Sequence, residues 1–311
     1  MVGFLDEQRD PLLAGALLKA IHTFTAAPWT ITEMCGARTH GLAARGLGDL
    51  LPSGSRLVHG PGCPICGTPP EVIDRALAVA AHPGVILTTS ADMLEVPGTE
   101  TGLAALRARG ADVRAVPGPF DAVRLAVETP RSEVVFFATG CETTATATAT
   151  AVLHAAELGL RNLTLLTGHL LALPATAAAL ALPSEGNTAF LAPGRVCAVT
   201  GWAGYEPLAA THRTPIVVTG AAPLELLDGV LMAVRQLASG RAEVENGYAR
   251  AVGRTGNIAA RELAGRVFRV TAGRSRRLGI IPDGGLALAA EYAAFDAAAR
   301  FGVGDLAGAP A

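Results

Sequence analysis

An α/β fold built from two similar βαβ domains, with mostly parallel sheets facing a cleft, follows from three features of this sequence. Short β-rich runs alternate with Ala- and Leu-rich stretches of helical length, the pattern of βαβ units. Two segments recur at one displacement: LVHGPGC ending at Cys63 parallels VFFATGC ending at Cys141, and VILTT from Val85 parallels LTLLT from Leu163. Each repeat carries a strand into a Gly-Cys turn and then a helix start, where open α/β sheets present ligand-binding groups.

Taken in order, strands are expected at Arg56 to His59, Val85 to Thr89, Val113 to Val116, Val134 to Ala138, Leu163 to Thr167, Phe190 to Ala192, Val196 to Thr200 and Ile216 to Thr219. Helices are expected at Glu71 to Ala81, Leu103 to Arg109, Asp121 to Glu128, Thr144 to Leu158 and Leu224 to Leu237. TPRS at Thr129 to Ser132 interrupts the pattern and marks the boundary between halves. The expected division is 1–50 as an N-terminal segment carrying Cys35, 51–130 as a first α/β domain with Cys63 and Cys66, 131–240 as a second, and 241–311 as a helical and strand segment closing the fold. In that last segment a helix from Ala242, a strand around Val267 to Val270 and a helix from Leu286 to Phe301 are expected, with small, fraying residues at the end.

Composition narrows the function. The 311 residues are half apolar and suffice for a large core. No run approaches the roughly 20 apolar residues of a spanning helix, and MVGFLDEQRDPLL puts acid where a secretory signal carries base. The expectation is a cytoplasmic protein that uses no membrane. A formal net charge of -2 gives no footprint for nucleic acid. The one basic cluster, Arg274, Arg276 and Arg277, is short, and an anion contact there is the minority reading. Five scattered cysteines do not make a secreted disulfide framework, so reactive or ligating thiols are the better reading for some of them.

HGPGCPICGTPPE, His59 to Glu71, is the richest segment. His59 ends a strand, Gly60 and Gly62 let backbone approach a ligand, and Cys63 and Cys66 form a Cys-x-x-Cys pair. Thr68 is the expected N-cap with Pro69 first in the helix and Glu71 completing a capping box, so Cys66 stands before a helix N-terminus that favours thiolate. Such a pair can close a disulfide, hold a soft metal, or do each in turn; a four-cysteine zinc site would need a second pair, which the sequence lacks. TEMCGARTHG follows the same logic more weakly: Cys35 with Thr39 and His40 can bind a soft or borderline metal, or pair nucleophile with base, though packing is the common fate of such a cysteine. In TGCETT, Glu142 suits the first turn of a helix and Thr143 or Thr144 could cap it; alternatively these three face the cleft. Cys141 and Cys197 read as packing thiols. His59 and His169 both end strands near the expected cleft and are candidate site residues, whereas His22, His82, His154 and His212 read as structural.

TEMCGARTH, LLPSGSRLVHGPGCPIC, GCETT, FLAPGRV, VENGYARAV and LGIIPDGGL occur in the order and approximate spacing of the HypD hydrogenase-maturation family, which the chain resembles from about Ile31 to Phe301. The resemblance implies a scaffold rather than a turnover enzyme. It would pair with a small HypC-like chaperone, take cyanide from a HypE-like donor and transiently carry the Fe(CN)2CO unit destined for a [NiFe]-hydrogenase. By position, Cys35 looks like the iron-binding cysteine, Cys63 and Cys66 like the redox pair, and Glu142, Thr143 and Thr144 like the cleft motif. Three departures stand out: Arg38 and Arg195 replace histidines, Cys141 replaces a phenylalanine, with a Trp-Arg-Gly stretch altered around Ser275 to Arg277, and no cysteine follows Cys197 where the family holds a [4Fe-4S] cluster. A [4Fe-4S] cluster is therefore not expected in this chain. The competing readings are a cluster-free paralogue acting as a thiol redox or protein-interaction module, and an enzyme binding a phosphorylated ligand at its Gly-rich turns. Against the latter, neither GxGxxG nor a Walker lysine is present.

Overall fold

The computed structural model describes residues 10–34, 47–63, 65–183 and 186–304. In chain order the first elements are α1 (Pro11–Phe24), β1 (Trp29–Glu33), β2 (Arg56–His59), α2 (Pro70–Ala80), β3 (Val85–Thr89), α3 (Ala91–Leu94), α4 (Leu103–Ala108), β4 (Val113–Ala115), α5 (Pro119–Glu128), β5 (Glu133–Gly140), α6 (Glu142–Glu157) and β6 (Leu163–His169). There follow α7 (Ala172–Leu180), β7 (Asn187–Pro193), α8 (Gly194–Thr200), α9 (Tyr205–His212), β8 (Ile216–Thr219), α10 (Pro223–Ser239), β9 (Val244–Asn246), α11 (Ile258–Val267), β10 (Phe268–Ser275), β11 (Gly279–Leu288) and α12 (Ala297–Phe301). Two 3-10 turns, Leu47–Leu50 and Ala290–Phe295, complete the described elements.

The chain divides into two units, each discontinuous: residues 1–63 with 176–258, and 64–175 with 259–311. The first holds a parallel sheet in the order β2-β1-β7-β8-β9, the second a parallel sheet in the order β4-β3-β5-β6 and the antiparallel pair β10-β11. Two βαβ units on mostly parallel sheets are thus present, as the alternation of runs implies. In both parallel sheets the first strand of the chain sits inside, flanked by the second and third. The winding therefore reverses beside β1 in one sheet and beside β3 in the other, and the carboxyl ends of strands at such reversals are where open α/β sheets bind ligands.

Burial explains why these residues form these layers. In β5, Val134, Phe136 and Ala138 face the helices α5 and α6, packing on Ala122, Val123, Ala149 and Val152, while Val135 and Phe137 face α2 and α4, packing on Val72, Ile73 and Leu103. Two buried faces at period two are what a central parallel strand demands. In the first unit Trp29, Ile31, Leu191 and Val217 meet Leu227, Val230 and Val234, which recur on one face of α10. Each such side chain contributes about 1.5–3 kcal/mol by leaving water.

Several sequence expectations are corrected. Val196–Thr200 lies in helix α8, not a strand: Gly194, Val196 and Cys197 are buried on one turn, so tertiary packing overrides the β-branched composition. The expected helix from Leu286 is the end of β11, then a 3-10 turn, then α12, whose start is set by Asp296 accepting from Ala298 and Ala299 N–H. The helix expected from Ala242 begins only at Ile258, as α11, directly before β10, and β9 occupies Val244–Asn246 instead. Pro69, not Thr68, is the N-cap of α2, because Pro70 disfavours a helical conformation in the residue before it. Thr129–Ser132 form the α5–β5 connection inside one unit, closed by Asn162, whose side-chain amide donates to the carbonyls of Ala126, Thr129 and Ser132 at 3.0, 3.2 and 3.1 Å. The repeated segments do not mark two halves either, since β3 and β6 share a sheet while β2 and β5 do not. Among the described residues no helix is long and apolar enough to cross a membrane.

Candidate thiol and carboxylate sites

β1 and β2 pair in parallel with Glu33 opposite His59, so both strands leave the sheet at the same edge. Gly60 N–H donates to Glu33 O at 2.9 Å and Met34 N–H to Leu191 O at 3.1 Å, which ties the ends of β1, β2 and β7 together. A Cβ on Gly60 would stand 2.8 Å from Thr32 Cγ2 and 3.0 Å from Glu33 O, so only glycine permits this approach. Beyond it the chain turns through the buried Gly62 and Cys63 to the exposed Cys66. A ring nitrogen of His59 and the sulfurs of Cys63 and Cys66 lie within 4.8 Å of one another. Neither cysteine is in a disulfide.

Two sulfurs and an imidazole suit a soft or borderline ion, or a dithiol that opens and closes. They fall one ligand short of a closed structural zinc site. Cys35, Thr39 and His40 lie outside the described residues; Met34, the residue before Cys35, is buried at the end of β1.

The second cluster stands at the winding reversal of the other sheet. Gly140, in a positive-φ conformation of 123°, ends β5, and Cys141 is the N-cap of α6, making no side-chain cap. Thr143 and Thr144 fall inside α6 and do not cap it: Thr144 Oγ1 donates to Cys141 O at 2.8 Å, and Thr143 Oγ1 lies 3.3 Å from Cys141 Sγ. Glu142 does occupy the first turn, yet its carboxylate reaches elsewhere. Oε1 accepts from Ala172 N–H at 3.0 Å at the start of α7, and the buried Oε2 has no hydrogen-bond partner among the described residues. Burial pushes this carboxyl up to about 7, against the smaller opposing effect of backbone N–H groups. A carboxyl poised near neutrality can give or take a proton. Burial also raises the Cys141 thiol, helped by the Glu142 charge, so Cys141 stays a thiol. Cys197 is fully buried, as a packing thiol should be.

Sequence reasoning passed over Ser90, which follows β3 and whose buried Oγ lacks a hydrogen-bond partner among the described residues. The only signal is its place at the end of an all-buried strand. His169, a candidate from its place at a strand end, is 5% exposed with both ring nitrogens lacking partners among the described residues.

Comparison with known proteins adds an independent line. A family model described as "HypD: Hydrogenase formation hypA family" matches residues 13–310. The chain is similar to the hydrogenase maturation factor HypD1 of Bradyrhizobium diazoefficiens, with 41% identity over 97% of this chain and 82% of that protein. It is likewise similar to hydrogenase maturation factor HypD of Azotobacter vinelandii (42%, over 96% and 81%) and of Escherichia coli (40%, over 96% and 82%). With nearly the whole chain matched at such identity, this protein belongs to the HypD family.

Proposed function

We propose that this chain is a maturation scaffold for [NiFe]-hydrogenase, acting in the cytoplasm with a HypC-like chaperone and a HypE-like cyanide donor to assemble and carry Fe(CN)2CO. Cys35 is the iron ligand in this reading, with Thr39 and His40 beside it in sequence. One observation carries it: the parallel register that sets Glu33 opposite His59 brings the strand leading to Cys35 and the strand leading to Cys63 out at one sheet edge. Low-spin iron bearing cyanide and CO suits a thiolate ligand. Closing Cys63 and Cys66 to a disulfide releases two electrons and two protons, so the pair can supply electrons that building the unit requires. His59, Gly60 and Gly62 shape the turn around it, and Glu142, with Thr143 and Thr144 beside it in sequence, serves proton handling.

Anaerobic co-purification with the HypC-like partner tests the assignment. Infrared bands of iron-bound cyanide and CO are expected from the native protein and should vanish in Cys35→Ala; bands that persist in the variant reject Cys35 as ligand. A second reading draws on the proximity of Cys63 and Cys66 alone: a thiol redox module outside hydrogenase maturation. A Cys63/Cys66 disulfide with no iron under the same conditions would favour it.

A further inference from the structure

Behind the first turn of α2, wholly within the second unit, lies a cavity of about 90 Å³ that neither cysteine of the pair lines. A buried water needs roughly 10–15 Å³ on this measure, so the space equals several waters and has room for a tetrahedral oxyanion. Three guanidinium-bearing residues line it: Arg75 from α2, and Arg269 and Arg274 from β10. Arg75 also donates to Gly304 O, and Arg274 Nη1 stands 3.9 Å from Glu71. Asp296 is the one carboxylate in the wall, and its Oδ1 already accepts two N–H groups of α12. The lining thus carries an excess of positive charge.

His169 supplies the second observation. It is the last residue of β6, paired with Gly140, and its ring stacks edge-on against Phe268 at 5.6 Å. It lines the cavity nine-tenths buried, with both ring nitrogens lacking a protein partner among the described residues. A buried imidazole without a partner is costly, and a ligand oxygen accepting its N–H relieves that cost. Gly67, Thr68 and Pro69 add the positive end of the α2 dipole.

We propose that this cavity binds a phosphate group, with His169 donating to one oxygen and Arg75, Arg269 and Arg274 holding the others. Guanidinium forks match phosphate geometry. The proposal is independent of the maturation role and of the thiols.

The test is titration of the whole chain with inorganic phosphate, followed by phosphorus NMR and by thermal unfolding, with chloride at matched ionic strength as the control. Saturable binding is expected, weakened at least about tenfold by Arg274→Gln and by His169→Gln, as loss of a hydrogen bond to a charged group implies. Arg269 is exposed, so Arg269→Gln keeps the test valid should a buried variant misfold; it too should weaken binding. Displacement of phosphate by ADP assigns the site to a phosphorylated small molecule, and failure of ADP to compete assigns it to free phosphate. Absence of saturable binding, equal stabilisation by chloride, or unchanged affinity in Arg269→Gln overturns the proposal.

Discussion

Replacing Glu142 by Gln should change how stability varies with pH, and the size of the change follows from where its carboxylate sits. Burial holds this carboxyl at about 7 against an ordinary 4.5. The folded state therefore keeps a proton that the unfolded chain releases, and stability falls as pH rises from 4.5 through 7. At about 1.4 kcal/mol per pH unit the loss amounts to about 3 kcal/mol, fully developed above pH 7. His169 works in the opposite direction. Burial lowers its ring to about 4 from an ordinary 6.5, so the unfolded chain binds the proton first and stability falls as pH drops from 6.5 through 4. Between pH 4.5 and 6.5 the two slopes cancel, and native protein hides both. Glu142→Gln removes one and keeps an acceptor for Ala172 N–H. The assay is urea unfolding from pH 4 to 8 on native protein, Glu142→Gln and His169→Gln, reading the differences so that all other carboxylates subtract out. Glu142→Gln should gain about 3 kcal/mol relative to native between pH 4.5 and 7.5, and His169→Gln should gain relative to native as pH falls below 6.5. A Glu142→Gln difference that stays flat across that range would refute the argument.

Two further outcomes follow from the same sheet edges. Gly140→Ala should cost about 2–5 kcal/mol in a denaturation midpoint, because φ of 123° strains any side chain and the new Cβ meets Thr144 at its Oγ1 and, 2.8 Å away, its Cγ2. Adding Thr144→Ala should recover only the packing share of that loss. With iodoacetamide followed by mass spectrometry, Cys66 should be alkylated well before Cys63, since the first is exposed and the second buried.

Much of the architecture was legible because it rests on local signals. The all-buried runs at Val85–Thr89 and Ile216–Thr219 and the edge strand Arg56–His59 were located from β-branched composition and turn residues, and all three bounds hold. Trp29–Glu33 was missed although it alternates buried and half-buried residues. The β10–β11 hairpin was read as a single strand because Pro282, Asp283 at φ 54° and two glycines interrupt β11. Division of the chain into interleaved units was illegible in principle: β1 pairs with β7 across more than a hundred residues, and no window of sequence contains both partners. At the site, the Cys-x-x-Cys turn and its His59 neighbour were legible from spacing. The buried, unpartnered carboxylate oxygen of Glu142 was not, because it depends on where α7 begins.

The same interleaving constrains how the protein is made. Every strand of the β4-β3-β5-β6 sheet has been synthesised by His169, so that sheet can assemble early, once β6 has cleared the ribosome. β1, by contrast, has only β2 for company until β7 emerges, and a lone strand pair is too weak to persist in water. The late closure of that long loop is entropically costly and slow. The strand that leads to Cys35 thus stays unpaired on one side until β7 is made, more than a hundred residues after it.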